Sequence, residues 1–344
     1  MEVNEMRIFA KPGGIPPENI AVFRALQLGD LLNAIPALRA LRTGFPGAQI
    51  TFVGLPWART FVERFHNLLD GFISFPGYTG LPEQEPDMAA FPAFLQEVQD
   101  AHFDLAIQMH GSGAISNHLM TFWGAHRYAG FYEADEFCPD RETFLVYPQH
   151  EPERWRHLRL MEYLGIPLQG DDLEFPLRAQ DWRELEQIRE AIGLRKNFVC
   201  IHAGARKPER RWPLENFASV ADGLTARGYQ VVLTGSEEEQ TLAATVAGHM
   251  AAPAVNLAGK TTLGGLAALL STARLLVSND TGVSHVAVAV KTPSVILFSA
   301  PDHDRWAPAD QELHRVIRNA RQVAVEEVLR QAEAQLDETY ADAL

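Results

Sequence analysis

Residues 275–290 form an apolar run that gives way to Asp280, Thr281 and Gly282 and then to a second apolar run holding His285 in its first turn. A carboxylate, a hydroxyl and a glycine between a strand end and a helix start set backbone N–H groups and the positive end of a helix beside one acid. That combination suits a nucleotide diphosphate. A histidine in such a place more often packs or caps than catalyses. Beside Asp280, Thr281 and Gly282, His285 becomes a candidate phosphate contact.

Three further turns have the same setting. Gly29 and Asp30 follow an apolar run at 20–26 and precede a helical run containing Pro36. Asp is a favoured N-cap, and an acid in the first helical turn complements the dipole. At a strand end, behind a glycine that lets a ligand approach the backbone, the same carboxylate can act as general base for a substrate hydroxyl. His202 opens a loop through Gly204, Arg206, Lys207, Arg210 and Arg211 to Trp212 and Pro213. Four cations in six residues repel one another unless an anion shares the site or water screens them, and Arg grips phosphate bidentately. A phosphate clamp and a solvated basic loop both fit that composition. Gly235 and Ser236 lead into Glu237, Glu238 and Glu239. Acids there serve the helix dipole, and one of them can accept hydrogen bonds from ribose hydroxyls. Finally, His110, Gly111, Gly113 and Ser116 partly match the Gly-x-Gly-x-x-Gly/Ala dinucleotide fingerprint. Two glycines at that spacing, after a strand that does not open its half, are a weak match. A tight turn bordering the ligand is the better reading, and an NAD enzyme is disfavoured.

These turns need elements to hold them. Apolar runs at 20–26, 49–55 and 104–110 read as strands, with helical runs at 31–41 and 57–68 between them. A Pro, Gly and acid-rich stretch at 76–92 reads as a surface excursion. The second half repeats the rhythm, with strands at 198–202, 229–234, 255–257, 275–277 and 294–298 and helices at 214–227, 237–249, 263–273 and 283–290. Alternation of this kind predicts parallel sheets covered on both faces, with ligands at the carboxyl ends of the strands. The expected fold class is α/β, with two Rossmann-like doubly wound sheets joined near 170–195 and facing a cleft. The expected domains are 1–176 and 177–344.

Composition narrows the classes. With 344 residues, 47% of them hydrophobic, the chain can bury two cores. A net charge of -14 argues against a nucleic-acid partner and against more than peripheral membrane contact. The excess is concentrated in residues 1–180, which carry 13 basic and 23 acidic side chains. No apolar run approaches the roughly 18 residues of a membrane helix, and no signal peptide is evident. Cys138 and Cys200 provide neither a disulfide framework nor zinc spacing, so a cytoplasmic location is expected and no metal is.

Taken in order, Arg24 with Leu28, Gly29, Asp30 and Pro36, then Gly204 with Arg210, Trp212 and Pro213, then Gly235 with Glu239, then Asp280 to His285, resemble the successive motifs of glycosyltransferase family 9, the ADP-heptose:lipopolysaccharide heptosyltransferases. The resemblance runs from about residue 20 to 308. It implies a GT-B-type fold, a nucleotide-sugar donor on the second domain and a saccharide or lipid-linked saccharide acceptor on the first, and an inverting transfer without metal or other cofactor. By that resemblance Asp30 deprotonates the acceptor hydroxyl, and Arg210, where the family usually has Lys, neutralises the diphosphate. Glu239 holds the ribose, and Gly204, Arg206, Lys207, Asp280, Thr281, Gly282 and His285 line the donor. Arg24, Gly29, His110 and Gly111 fall on the acceptor side. The last helix, about 322–340, would cross back to the first domain. Two departures stand out. Gly111 to Ile115 lacks a basic residue that many members carry, which points to a less acidic acceptor, and Ser299 and Ala300 replace a more usual glycine turn after Phe298. A nucleotide-sugar epimerase or hydrolase, which would need a further acid or base, and a non-catalytic nucleotide-sugar-binding protein are the competing readings.

Overall fold

The computed structural model describes residues 15–341, with side chains as far as Glu338. Residues 1–14 and 342–344, the outer ends of the two expected domains, lie outside the described residues. The chain divides into two compact units at Asp172 and Leu173.

In the first unit the order is β1 (Asn19–Phe23), α1 (Leu28–Gly44), β2 (Gln49–Gly54), α2 (Arg59–Arg64), β3 (Gly71–Ser74), α3 (Phe91–Asp100), β4 (Leu105–Gln108), α4 (Ser116–Met120), β5 (Arg127–Tyr132), β6 (Phe144–Val146) and α5 (Glu153–Tyr163). The strands form one sheet in the order β3-β2-β1-β4-β5-β6. All of its pairings are parallel, for example Val22 beside Phe52 on one side and Ile107 on the other. Parallel strands with helices on both faces must be apolar on both sides. Ile20 to Phe23 and all of β4 are accordingly buried.

The second unit contains α6 (Ala179–Ile192), β7 (Phe198–His202), α7 (Leu214–Ala226), β8 (Gln230–Leu233), α8 (Gln240–His249), β9 (Val255–Asn256), α9 (Leu263–Thr272), β10 (Leu276–Asn279), α10 (Gly282–Ala289), β11 (Ser294–Phe298), α11 (His303–Trp306), β12 (His314–Arg318) and α12 (Val325–Ala341). Its sheet, β12-β11-β10-β7-β8-β9, is again parallel throughout and repeats the strand order of the first.

The long periodic elements agree with the sequence reading to within a few residues. Several elements were not anticipated, among them the helices α3 and α5 and the strands β3, β5, β6 and β12. β3, β6 and β12 span three to five residues and take their strand state from the sheet edge they join, which no local pattern encodes. α6 occupies the expected joining segment; its capping Asp181 accepts from the Arg178 N–H at 2.8 Å and it buries Leu185.

The last helix, expected over about 322–340, is α12. Val328, Ala332 and Leu336, at helical spacing on one face of α12, are buried in the second unit's own core with Val199, Val220 and Leu224. Leu329 fills the space beside Gly223 of α7, and Arg227 after α7 pairs with Asp337 at 2.7 Å. This apolar stripe is thus buried by α7 and its sheet.

Candidate active site

Each sheet reverses its strand order once, between β1 and β4 in the first unit and between β7 and β10 in the second. At such a reversal the two flanking crossovers leave in opposite directions, and the carboxyl ends of the strands open onto the place where α/β sheets bind ligands.

In the first unit the reversal gathers Arg24, Asp30 and His110. Asp30 is the third residue of α1. Its Oδ2 accepts from the Gln27 N–H at 3.3 Å and its Oδ1 lies 3.8 Å from Arg24 Nη2, while 21% of the side chain stays exposed. The N-cap is Gln27 and not Asp30, whose carboxylate serves the first helical turn from its third position and still meets solvent. Gly29 is buried beneath it, its carbonyl taking the Asn33 side-chain amide at 2.8 Å. His110 stacks on Phe23 with ring centres 5.0 Å apart. Its Nδ1 accepts from the Ala25 N–H at 3.2 Å, which assigns the proton of the neutral ring to Nε2, 3.6 Å from Glu83 Oε2.

Arg24 is fully buried and its donors are used internally: Nε to the Asp30 carbonyl at 2.9 Å, Nη1 to the Met109 carbonyl, and Nη2 to Glu153 Oε1 at 2.9 Å. It is a strut joining β1, β4, α1 and α5. Glu153 also pairs with Arg156 at 3.3 Å and approaches His157 Nε2 at 3.4 Å. Burial, reinforced by the Arg24 charge, lowers the His157 pKa to about 4, so this ring is neutral at neutral pH. Gly111 and Gly113 both have positive φ, +62° and +98°. A Cβ on Gly113 would sit 2.3 Å from the Phe131 carbonyl. That glycine answers to packing, which accounts for the partial dinucleotide fingerprint.

In the second unit β7 ends at His202 and Gly204. A Cβ on Gly204 would stand 2.0 Å from Glu239 Oε1, so only glycine lets that carboxylate lie across the strand end. Glu239 Oε2 accepts from the Ser236 N–H at 2.9 Å and lies 3.6 Å from His202 Nε2. His202 is buried against Thr234 Oγ1 at 3.1 Å; its burial lowers the pKa, against the opposing pull of Glu239. Across the reversal, the Asn279 side-chain amide donates to the Ala203 carbonyl at 2.8 Å while its oxygen accepts from the Trp212 N–H at 3.0 Å. This one buried side chain fixes both ends of the cationic loop.

Within that loop the cations separate. Arg206 and Lys207 are exposed, whereas Arg210 bridges Asp280 Oδ2 at 2.7 Å and Asp302 Oδ2 at 2.5 Å. Asp280 is buried, Thr281 and Gly282 open α10, and His285 is buried with its ring edge-on to Trp306 at 5.9 Å. The arrangement offers an anion a guanidinium and a helix N-terminus, and offers a polyol the Glu239 carboxylate. Among the described residues no group of three or more His, Cys, Asp or Glu is placed to hold a metal, and no helix is long and apolar enough to cross a membrane.

The model of glycosyltransferase family 9 (heptosyltransferase) matches residues 92–335, well over half of the chain. The chain belongs to glycosyltransferase family 9. The lipopolysaccharide heptosyltransferase 2 of Salmonella typhimurium is 36% identical to it over 324 residues, 87% of each chain. The lipopolysaccharide heptosyltransferase 3 of Escherichia coli is 36% identical over 156 residues, 44% of this chain and 45% of that one, so this match spans less than half the length of that relative. A solved family 9 glycosyltransferase from Veillonella parvula superposes with a TM-score of 0.81 at 22% identity, covering 93% of this chain and 98% of that one.

This family 9 member is thus a glycosyltransferase of GT-B type, built from two Rossmann-like units. Its site includes residues that sequence reasoning passed over. Glu153 and His157 lie far from any strand end in sequence, and no local signal marks them. Asn279, Asp302 and Trp306 do follow strand ends, and systematic attention to the residues closing β10 and β11 would have found them.

Proposed function

We propose that this enzyme transfers a heptose from ADP-heptose to a hydroxyl of a lipopolysaccharide-core saccharide, with inversion at the anomeric carbon. Asp30 takes the proton of the acceptor hydroxyl as its oxygen bonds to the anomeric carbon, and the bond from that carbon to the β-phosphate oxygen breaks. The charge leaving with ADP is met by Arg210 and by the N–H groups at the start of α10. Glu239 holds the ribose hydroxyls, and Asp280 and His285 orient the sugar and phosphates. The donor side is thereby assigned to the second unit and the acceptor side to the first, in the cytoplasm where a lipid-linked acceptor is presented at the membrane surface.

The observation that carries this reading is Asp30 in a chain of this family: a part-exposed carboxylate at the strand-order reversal of the first unit, with the guanidinium of a buried arginine 3.8 Å away. The test is ADP release from ADP-heptose in the presence of a heptose-deficient core acceptor. Asp30→Asn should lower kcat by roughly 10²–10⁴-fold and leave the Kd for ADP within twofold. Retention of more than a tenth of the native rate would remove Asp30 from the role. ADP release independent of acceptor would replace transfer by hydrolysis.

A further inference from the structure

Arg210 is the cation assigned above to the leaving diphosphate, yet both ends of its guanidinium are engaged by carboxylates. Asp280 and Asp302 are not equivalent partners. Asp280 is 5% exposed and sits on the rigid end of β10, its backbone N–H bonded to the Leu297 carbonyl at 3.0 Å. Asp302 is 34% exposed and belongs to the turn between β11 and the single-turn helix α11. Its Oδ2 takes both Arg210 and the Trp306 indole N–H, the latter at 3.2 Å, while its Oδ1 is buried without a hydrogen-bond partner. Ser299 Oγ, three residues earlier in the same turn, is likewise buried and unpartnered. A buried carboxylate oxygen with no donor is costly, so Asp302 is held at Arg210 by one oxygen at the expense of the other.

We infer that Asp302 is an internal stand-in for the donor's phosphate, occupying the Nη2 side of Arg210 until the diphosphate displaces it. The inference rests on the diphosphate assignment of Arg210. On binding, Asp280 keeps Nη1 and thereby the direction of the guanidinium, and a phosphate oxygen replaces Asp302 Oδ2 at Nη2. Asp302 moves to solvent with its own charge, and the Trp306 N–H loses its acceptor. Because Trp306 also packs on His285 in the first turn of α10, the exchange passes directly to the helix end that faces the phosphates. Asp302 thus sets a threshold: a ligand with one weak negative group does not repay its displacement, whereas a diphosphate does.

The test is binding of ADP and of inorganic pyrophosphate, which needs no base recognition, to the full chain and to Asp302→Asn, Arg210→Ala and Trp306→Phe, by calorimetry and tryptophan fluorescence. Removing the competing charge should tighten both ligands by roughly five- to tenfold in Asp302→Asn, the range for a part-exposed charged pair. Tightening is a gain that a damaged fold would not give. The native protein should change its tryptophan emission on binding pyrophosphate, and Trp306→Phe should abolish that change. Binding that weakens in Arg210→Ala and is unchanged or weaker in Asp302→Asn would overturn the stand-in role alone, making Asp302 a simple positioning partner. Binding indifferent to Arg210→Ala would overturn the diphosphate site and the inference with it.

Discussion

Replacing Gly204 by alanine perturbs the donor side through a single methyl group. The Cβ would stand 2.0 Å from Glu239 Oε1 and 2.3 Å from its carboxyl carbon, where real Cβ atoms keep about 3 Å or more. The backbone at Gly204 is not left-handed, so the alanine itself is unstrained and the whole cost falls on the carboxylate. Glu239 is a flexible side chain at the start of α8 whose carboxylate is held in place by the Ser236 N–H at 2.9 Å. It must move by about 1 Å, which breaks that bond and withdraws the oxygens from the ribose hydroxyls. A hydrogen bond to a charged group contributes about 1.5–3 kcal/mol, so the KM for the donor and the Kd for ADP should rise by roughly 10- to 150-fold. Asp30 belongs to the first unit and is untouched, so kcat should stay within about threefold. Initial rates against donor concentration, with calorimetric titration of ADP, measure both. A KM within twofold of native, or a fall in kcat at constant KM, would refute the placement of Glu239 on the ribose.

Two stability predictions follow from other parts of the same framework. Asn279→Ala removes the partner of the Trp212 N–H and of the Ala203 carbonyl, both buried, and should cost roughly 2–6 kcal/mol at 1–3 kcal/mol per unsatisfied group; a loss under 1 kcal/mol in urea unfolding would show that water replaces the amide. His157 is buried among Arg24, Glu153 and Arg156 with its pKa lowered from 6.5 to about 4. A depressed folded-state pKa means stability that is whole above pH 6.5 and declines as pH falls towards 4, by about 3 kcal/mol in total and about 2 kcal/mol by pH 5. His157→Phe should flatten that decline in the first unit's unfolding between pH 7 and pH 5, and an unchanged slope would assign the acid sensitivity elsewhere.

Much of the framework is local. The runs that became β1, β4, β7 and β11 are apolar on both faces because parallel strands must be, and that pattern is visible without coordinates. The turns that follow them carry glycine, acids and hydroxyls because a helix N-terminus needs them, which is why the turns holding Asp30, Glu239 and Thr281 can be read from their neighbours, although only the family resemblance singles out Glu239 from Glu237 and Glu238. What is short or borrowed from a partner was not legible. β12 is a strand because β11 offers it an edge, and α12 packs on α7 where Gly223 leaves room for Leu329. Neither fact is written in their own residues.

By itself the sequence determined the fold class and the turns that follow the strands, because periodicity, capping and turn chemistry act over a few residues. Only the tertiary structure decided how those residues share charge. Glu153 meets Arg24 across 129 positions, and Asp302 meets Arg210 across 92. The four cations of the loop at 206–211 look alike in order along the chain. Folding separates them into exposed Arg206 and Lys207, an Arg210 held between two acids and an Arg211 that donates to the Ala205 carbonyl. Electrostatic partnership depends on distance through space, and distance is what a sequence does not contain.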